Sequence, residues 1–273
     1  MKRIWVVIVG ILGAGAAETQ VFHSPVKSTY QTGGAYSEQF TDAFSFTANP
    51  AVLGTTHVVR LALCAERRWM LKELDCSQLA GAFPAGGGGV GFQFRYAGDA
   101  DYNESALAVD YGKDLGRISL GIQFGYETYR AAGYGNKTGG SVMLGLRFHP
   151  VEKLYAGLAI GNSLFAKKEQ ANPERGPGNY TMGFGYEASP MLLISIQFIK
   201  ETGISLNGIA CIDYRWNDQF FASLGIETNS ASPYTKAGWR KNQLTVEMFA
   251  AWHPAIGFTP GLVLLWEGKK KSG

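Results

Sequence analysis

The 273-residue sequence lacks a second long apolar run after its first dozen residues. A bundle of membrane helices is therefore excluded, because each crossing needs about 20 consecutive apolar residues. Cysteine is scarce. Its 3 residues (Cys64, Cys76 and Cys211) are an odd number and close no disulfide framework, although Cys64 and Cys76 could pair in an oxidising compartment. The 4 histidines stand singly, with no metal-ligand spacing among them or to the cysteines, so no metal is expected. Charge of one sign is also missing: 25 Lys+Arg face 22 Asp+Glu, and nothing points to a nucleic-acid partner. There is no G-x-S-x-G, no paired histidine ligand and no phosphate-binding glycine loop ahead of a helix. An enzyme is not expected, nor a cofactor, and Gly86–Gly89 reads as a turn between strands.

Residues 1–17 have the form of a cleaved secretory signal. Lys2 and Arg3 precede the apolar stretch Ile4–Leu12, and Ala14-Gly15-Ala16 gives a small-residue cleavage site. Glycine is abundant at 36 residues, and Tyr and Phe are frequent. From residue 58 the chain becomes a run of short segments of alternating polarity separated by turn signals. They are 58–71, 77–84, 89–97, 103–115, 117–129, 140–149, 154–164, 179–188, 191–200, 204–216, 219–228, 234–239, 243–253 and 258–266. Fourteen is an even number, as a closed single-chain outer-membrane barrel usually has. The connections sort by parity. Even-numbered ones such as "KDLGR", "HPVEK" and "ND" are tight, while odd-numbered ones include "YRAAGYGNKTG" and "KKEQANPERGPGN". The fold class expected is all-β: a transmembrane antiparallel barrel over 58–266, with 267–273 as a basic periplasmic tail.

One face of the alternation is apolar, with aromatic residues near the strand ends. Trp69, Tyr96, Tyr126 and Trp252 mark the outer lipid–water interface, and Tyr111, Phe148, Tyr155, Tyr186, Trp216 and Trp266 the inner one. The other face carries Arg60, Glu66, Arg68, Arg95, Asp110, Glu127, Arg147, Glu187, Asp213, Arg215, Glu227 and Glu247, which are expected to line the lumen. Residues 18–57 do not alternate. Ala43, Phe44, Phe46 and Ala48 lie near helical spacing, and the Asn49-Pro50 step interrupts it. A barrel this wide encloses more space than its wall side chains fill, so this segment is expected inside as a short, partly helical hatch.

The tracts "DAFSFTANPAVLG", "LCAERRWML", "AFPAGGGGVGFQFRY" and "HPAIGFTPGLVLLW" occur in order along nearly the whole chain. Together they resemble the FadL-like superfamily of outer-membrane transporters, and most closely its PorV/PorQ-type proteins of type IX secretion. The resemblance implies fourteen strands, a hatch in the lumen holding Asn49, Pro50 and Ala51, and a bacterial outer-membrane location. It also implies one of two roles. The first is an accessory barrel of a protein secretion or surface-assembly system, docking a protein partner. The alternative is a gated channel for small hydrophobic solutes. The connections are too short for the ligand-capturing outer loops of the fatty-acid transporters, so no ligand-binding residue carries over. Outer-membrane lipid is the expected surroundings in either case.

Overall fold

The computed structural model describes residues 28–133, 135–165 and 174–269. The signal segment, the start of the hatch segment, residues 166–173 and the last four residues of the basic tail lie outside them.

Fourteen antiparallel strands close into a barrel, each hydrogen-bonded to its sequence neighbours and β1 to β14. They are β1 (Arg60–Arg67), β2 (Asp75–Ala85), β3 (Gly88–Gly98), β4 (Tyr102–Asp114), β5 (Ile118–Ala131), β6 (Gly135–Val151) and β7 (Leu154–Phe165). The second half is β8 (Glu174–Ser189), β9 (Leu192–Glu201), β10 (Asn207–Arg215), β11 (Phe220–Glu227), β12 (Ser232–Lys241), β13 (Leu244–His253) and β14 (Gly257–Glu267). Each predicted segment has one counterpart. Closure matters physically because a spanning sheet with open edges would leave unpaired N–H and C=O groups in hydrocarbon.

Two local expectations fail. The segment 58–71 does not run on as a strand, because β1 ends at Arg67 and two single 3-10 turns follow at Arg68–Met70 and Lys72–Leu74. Trp69 and Met70 adopt positive φ there (50° and 61°), which no strand accommodates. Conversely, the tract predicted as a long loop at 130–139 is mostly sheet, with ladder pairs running out to Ala131 and Gly135. Its Gly, Asn and Lys content reads as loop, yet the ladder zips past the apolar zone. The asymmetry of the barrel is thus carried by strand length. β4 to β8 run 12–17 residues. β9 to β14, with β1, run 8–11.

The two faces separate cleanly. In β4, Leu107, Val109 and Tyr111 are exposed on the outside while Ala108 and Asp110 are buried inside. In β11 and β13, Leu224 and Met248 are 67% and 68% exposed, the extremes of an apolar band that continues around the wall. Such a band is stable against lipid and costly against water. The apolar alternation therefore faces outward. No helix among the described residues is long and apolar enough to cross a membrane, and the chain crosses with strands.

Candidate functional site

Inside the barrel sits the hatch, residues 28–59. It holds a 3-10 turn (Gly33–Tyr36), a single helical turn α1 (Ser45–Ala48) and a second 3-10 turn (Pro50–Thr55). Asn49 ends α1 because the following proline disfavours helical backbone before it, and its extended conformation (φ −153°, ψ 109°) starts the next turn. The Asn49 side chain caps that turn by accepting from the Ala51 N–H at 3.0 Å. Its amide also donates to the Leu146 carbonyl at 3.0 Å, fixing the cap to β6. The side chains of Tyr36, Phe44, Phe46 and Leu53 are buried to within 1%. Each contributes about 1.5–3 kcal/mol relative to exposure in water.

The hatch approaches the wall more closely than any side chain would allow. Gly89, Gly112, Gly121 and Gly145 are consecutive cross-strand partners on β3, β4, β5 and β6. A Cβ at Gly121 would lie 2.2 Å from the Pro50 carbonyl carbon, and one at Gly145 2.2 Å from Asn49 Oδ1. Gly183 and Gly185 on β8 make room in the same way for Tyr36. A row of missing side chains is thus the seat of the Pro50–Thr55 turn, in the half of the barrel where β1 begins and β14 ends.

Wall charges complete the attachment. Glu187 accepts from Ser37 Oγ at 2.5 Å and from the Glu38 and Gln39 N–H groups at 2.8 and 3.1 Å. Arg147 donates to Thr55 Oγ1 at 2.7 Å, and Arg215 to the Gln39 carbonyl at 2.8 Å with its guanidinium 3.9 Å from the Phe40 ring. Glu66 accepts from the Thr29 N–H at 2.8 Å and from Arg68 Nε at 2.9 Å. Beside β12 and β13 the Tyr30 hydroxyl lies 2.8 Å from Asp42 of the hatch and 2.9 Å from Glu247, with Lys236 between Asp213 (3.7 Å) and Glu247 (3.8 Å). Burial first, then the neighbouring carboxylates, push the Tyr30 phenol well above its ordinary range.

Above the hatch the lumen opens into a vestibule of about 550 Å³. Hatch residues such as Thr32, Thr47 and Ala48 form its floor, and Gln78, Gln93, Arg95, Glu127 and Glu227 are among its walls. The volume is in the range of small-molecule sites.

The charged residues expected in the lumen all lie on the inward parity or at its rim, and most divide into two sets, with Arg60, Asp110 and Asp213 outside both. Glu66, Arg147, Glu187, Arg215 and Glu247 hold the hatch. Arg68, Arg95, Glu127 and Glu227 line the vestibule, Arg60 meets Glu267 at 3.6 Å near the chain terminus, and Asp110 accepts from Gln123 at 2.7 Å. Phe44, Phe46, Asn49, Pro50 and Ala51 all lie buried in the hatch.

Tyr96, Tyr111, Tyr126, Phe148, Tyr186, Trp216, Trp252 and Trp266 are exposed on the outer face or its ends. Trp69 is not. The turn that ends β1 carries it over the rim, where its N–H bonds Thr259 Oγ1 at 3.1 Å and the residue lines the vestibule. Tyr155 is also misassigned by its apolar body: it is 5% exposed, points inward and lies 3.3 Å from Glu38. Sequence reasoning missed Tyr30, Tyr36 and Lys236, and the vestibule glutamines. Parity alone could have found the glutamines, since Gln93 and Gln123 alternate with outward Phe94 and Phe124. Cys64, Cys76 and Cys211 are all free and buried. No metal-ligating group of three or more His, Cys, Asp or Glu occurs among the described residues.

No protein-family model matches the chain, and no curated protein does. Solved structures do. The CymD monoaromatic hydrocarbon channel aligns with TM-score 0.54 at 10% identity, covering 82% of this chain and 91% of that one. The Pseudomonas putida toluene transporter TodX aligns with TM-score 0.53 at 8% identity, covering 84% and 94%. A Pseudomonas aeruginosa FadL homologue gives TM-score 0.53 at 10% identity, covering 86% and 95%. The barrel fold is shared with these three structures. At such identities the likeness carries the fold and no residue's role, and the roles of residues in this barrel rest on its own geometry.

Proposed function

We propose that the protein is a bacterial outer-membrane channel in which the hatch gates the passage of small uncharged solutes. The observation that carries the reading is the closed hatch itself: a vestibule of about 550 Å³ ends on a floor held by the glycine seat and by hydrogen bonds to charged wall residues. A purely structural barrel has no need of a separately folded, hydrogen-bonded stopper beneath an open cavity. Two of the structures quoted above are named for hydrocarbons, one a monoaromatic hydrocarbon channel and one a toluene transporter, which supports a solute of that uncharged kind. The accessory role in secretion rested on resemblance to PorV/PorQ-type proteins, and no surface feature adds to it. The exported location follows from the reading, with residues 1–17 as its cleaved signal. The chain carries out no covalent chemistry in this scheme.

The test is osmotic swelling of proteoliposomes containing the full chain or a variant deleted for residues 33–54. The deletion is expected to admit small neutral solutes at rates far above the intact protein. A correctly folded deletion variant that stays as tight as the intact protein would sink the proposal.

A further inference from the structure

The vestibule's chemistry narrows the class of solute, and the following rests on the passage reading above. Eight side-chain carboxamides of the wall and its turns line the one cavity, among them Gln78, Gln93, Gln123, Asn179, Gln197 and Asn207 from six strands. The hatch adds a ninth, Gln31, from below. A carboxamide offers two donors and an acceptor without net charge, which matches hydroxyl groups that both give and accept.

Charge in the vestibule acts in the same direction. Glu127, Glu201 and Glu227 line it, against Arg68 and Arg95, and Arg68 is drawn to Glu66 at 2.9 Å. Carboxylates accept hydroxyl protons and repel anions, so an ionised fatty acid meets the wrong sign of charge. Between the amides, Ala106, Ala108, Met143 and Ile209 supply apolar surface. A compact ring with hydroxyls on its edge and C–H groups on its faces satisfies both parts. A bare hydrocarbon of equal size would strip water from the amides and return nothing.

We infer that the vestibule binds neutral, hydroxylated ring compounds, such as cyclic polyols and monosaccharides, in preference to bare hydrocarbons. The experiment is calorimetric titration of the full-length protein in detergent with cyclohexanol, cis-1,2-cyclohexanediol, myo-inositol and toluene. Affinity is expected to rise at least threefold from cyclohexanol to myo-inositol, with toluene weakest. Asn179→Leu should remove most of that gradient and improve toluene binding severalfold. The smaller change Gln78→Ala should flatten the gradient too, and serves if the first variant misfolds. Toluene binding as tightly as myo-inositol, or a gradient untouched by both folded variants, would overturn the inference. The swelling assay separates the two ideas. A hatch-deleted protein that passes solutes without regard to hydroxyl number sinks this inference alone. A non-passing protein with the full binding gradient sinks the passage and leaves the binding site standing.

Discussion

Replacing Gly121 by alanine adds one methyl group, and the structure dictates where it goes. The new Cβ would stand 2.2 Å from the Pro50 carbonyl carbon and 2.3 Å from the Ala51 nitrogen, both backbone atoms that cannot rotate away. Ordinary contact needs about 3.5 Å, so the Pro50–Thr55 turn must shift by roughly 1 Å or leave its seat. The shift drags Asn49 away from the Leu146 carbonyl and unpacks Val52 and Leu53, which are buried to 3% and 0%. Overpacking of this kind costs about 1–3 kcal/mol. The wall loses nothing comparable, because the clash lies between wall and hatch. The equilibrium of the hatch alone should move, by roughly 5- to 150-fold toward release at 1.4 kcal/mol per factor of ten.

Planar-bilayer recordings give the direct assay, read as the fraction of time spent in high-conductance states. Hydrogen exchange at residues 50–55 gives a second readout that does not depend on conduction. Gly140→Ala is the control: its Cβ would meet only the Gly125 carbonyl at 3.8 Å, and both readouts should match the parent protein. Gly121→Ala that conducts and exchanges like the parent would refute the seat and the gating argument together.

Three further predictions concern the attachments and the wall. Glu187→Gln removes the charge from a carboxylate with three donors at Ser37, Glu38 and Gln39, and should weaken docking there by about 1.5–3 kcal/mol. Faster amide exchange confined to 37–39 is the expected signature, and unchanged exchange would count against it. The docked Tyr30 phenol ionises later than a free one. Its contribution to hatch docking should therefore be intact below about pH 10 and decline as pH rises beyond that, and Tyr30→Phe should flatten this alkaline limb. A hatch whose exchange rates showed no such limb in the parent protein would contradict the burial of that hydroxyl. Finally, Leu224→Arg places a charge on the outward apolar band and should cost about 2–4 kcal/mol of folding stability in lipid vesicles. An unaffected denaturation midpoint would mean that this face does not meet hydrocarbon.

The wall was legible because its alternation is the physical requirement of a two-faced strand: outward Leu107, Val109 and Tyr111 interleave with inward Ala108 and Asp110. What alternation could not show is which inward residues serve the hatch. Tyr155 is large and mostly apolar, so it reads as lipid-facing, yet it points inward, as do Tyr234 and Phe249. The Tyr30 ring lies 5.6 Å from Phe249, and Tyr234 stacks 5.9 Å from the same ring. The glycine seat was equally hidden. Gly112, Gly121 and Gly145 are unremarkable in their own strands, and become a row only when the register sets them side by side. Trp69 was misjudged for a backbone reason, since a positive φ redirects a side chain whose composition fits a belt.

The unequal strands have a consequence for how a solute arrives. With β4 to β8 built from 12–17 residues and β10, β11 and β1 from only 8 or 9, the collar of the barrel is high on one flank and low on the other. At about 3.3 Å per residue, even after tilt, a difference of several residues is comparable with the width of a small molecule. The mouth is therefore a slanted spout, not a level well. In the proposed channel, molecules skimming the membrane surface would meet an open sill on one bearing and a screen on the opposite one. Orientation of the barrel among its neighbours would then decide what it collects.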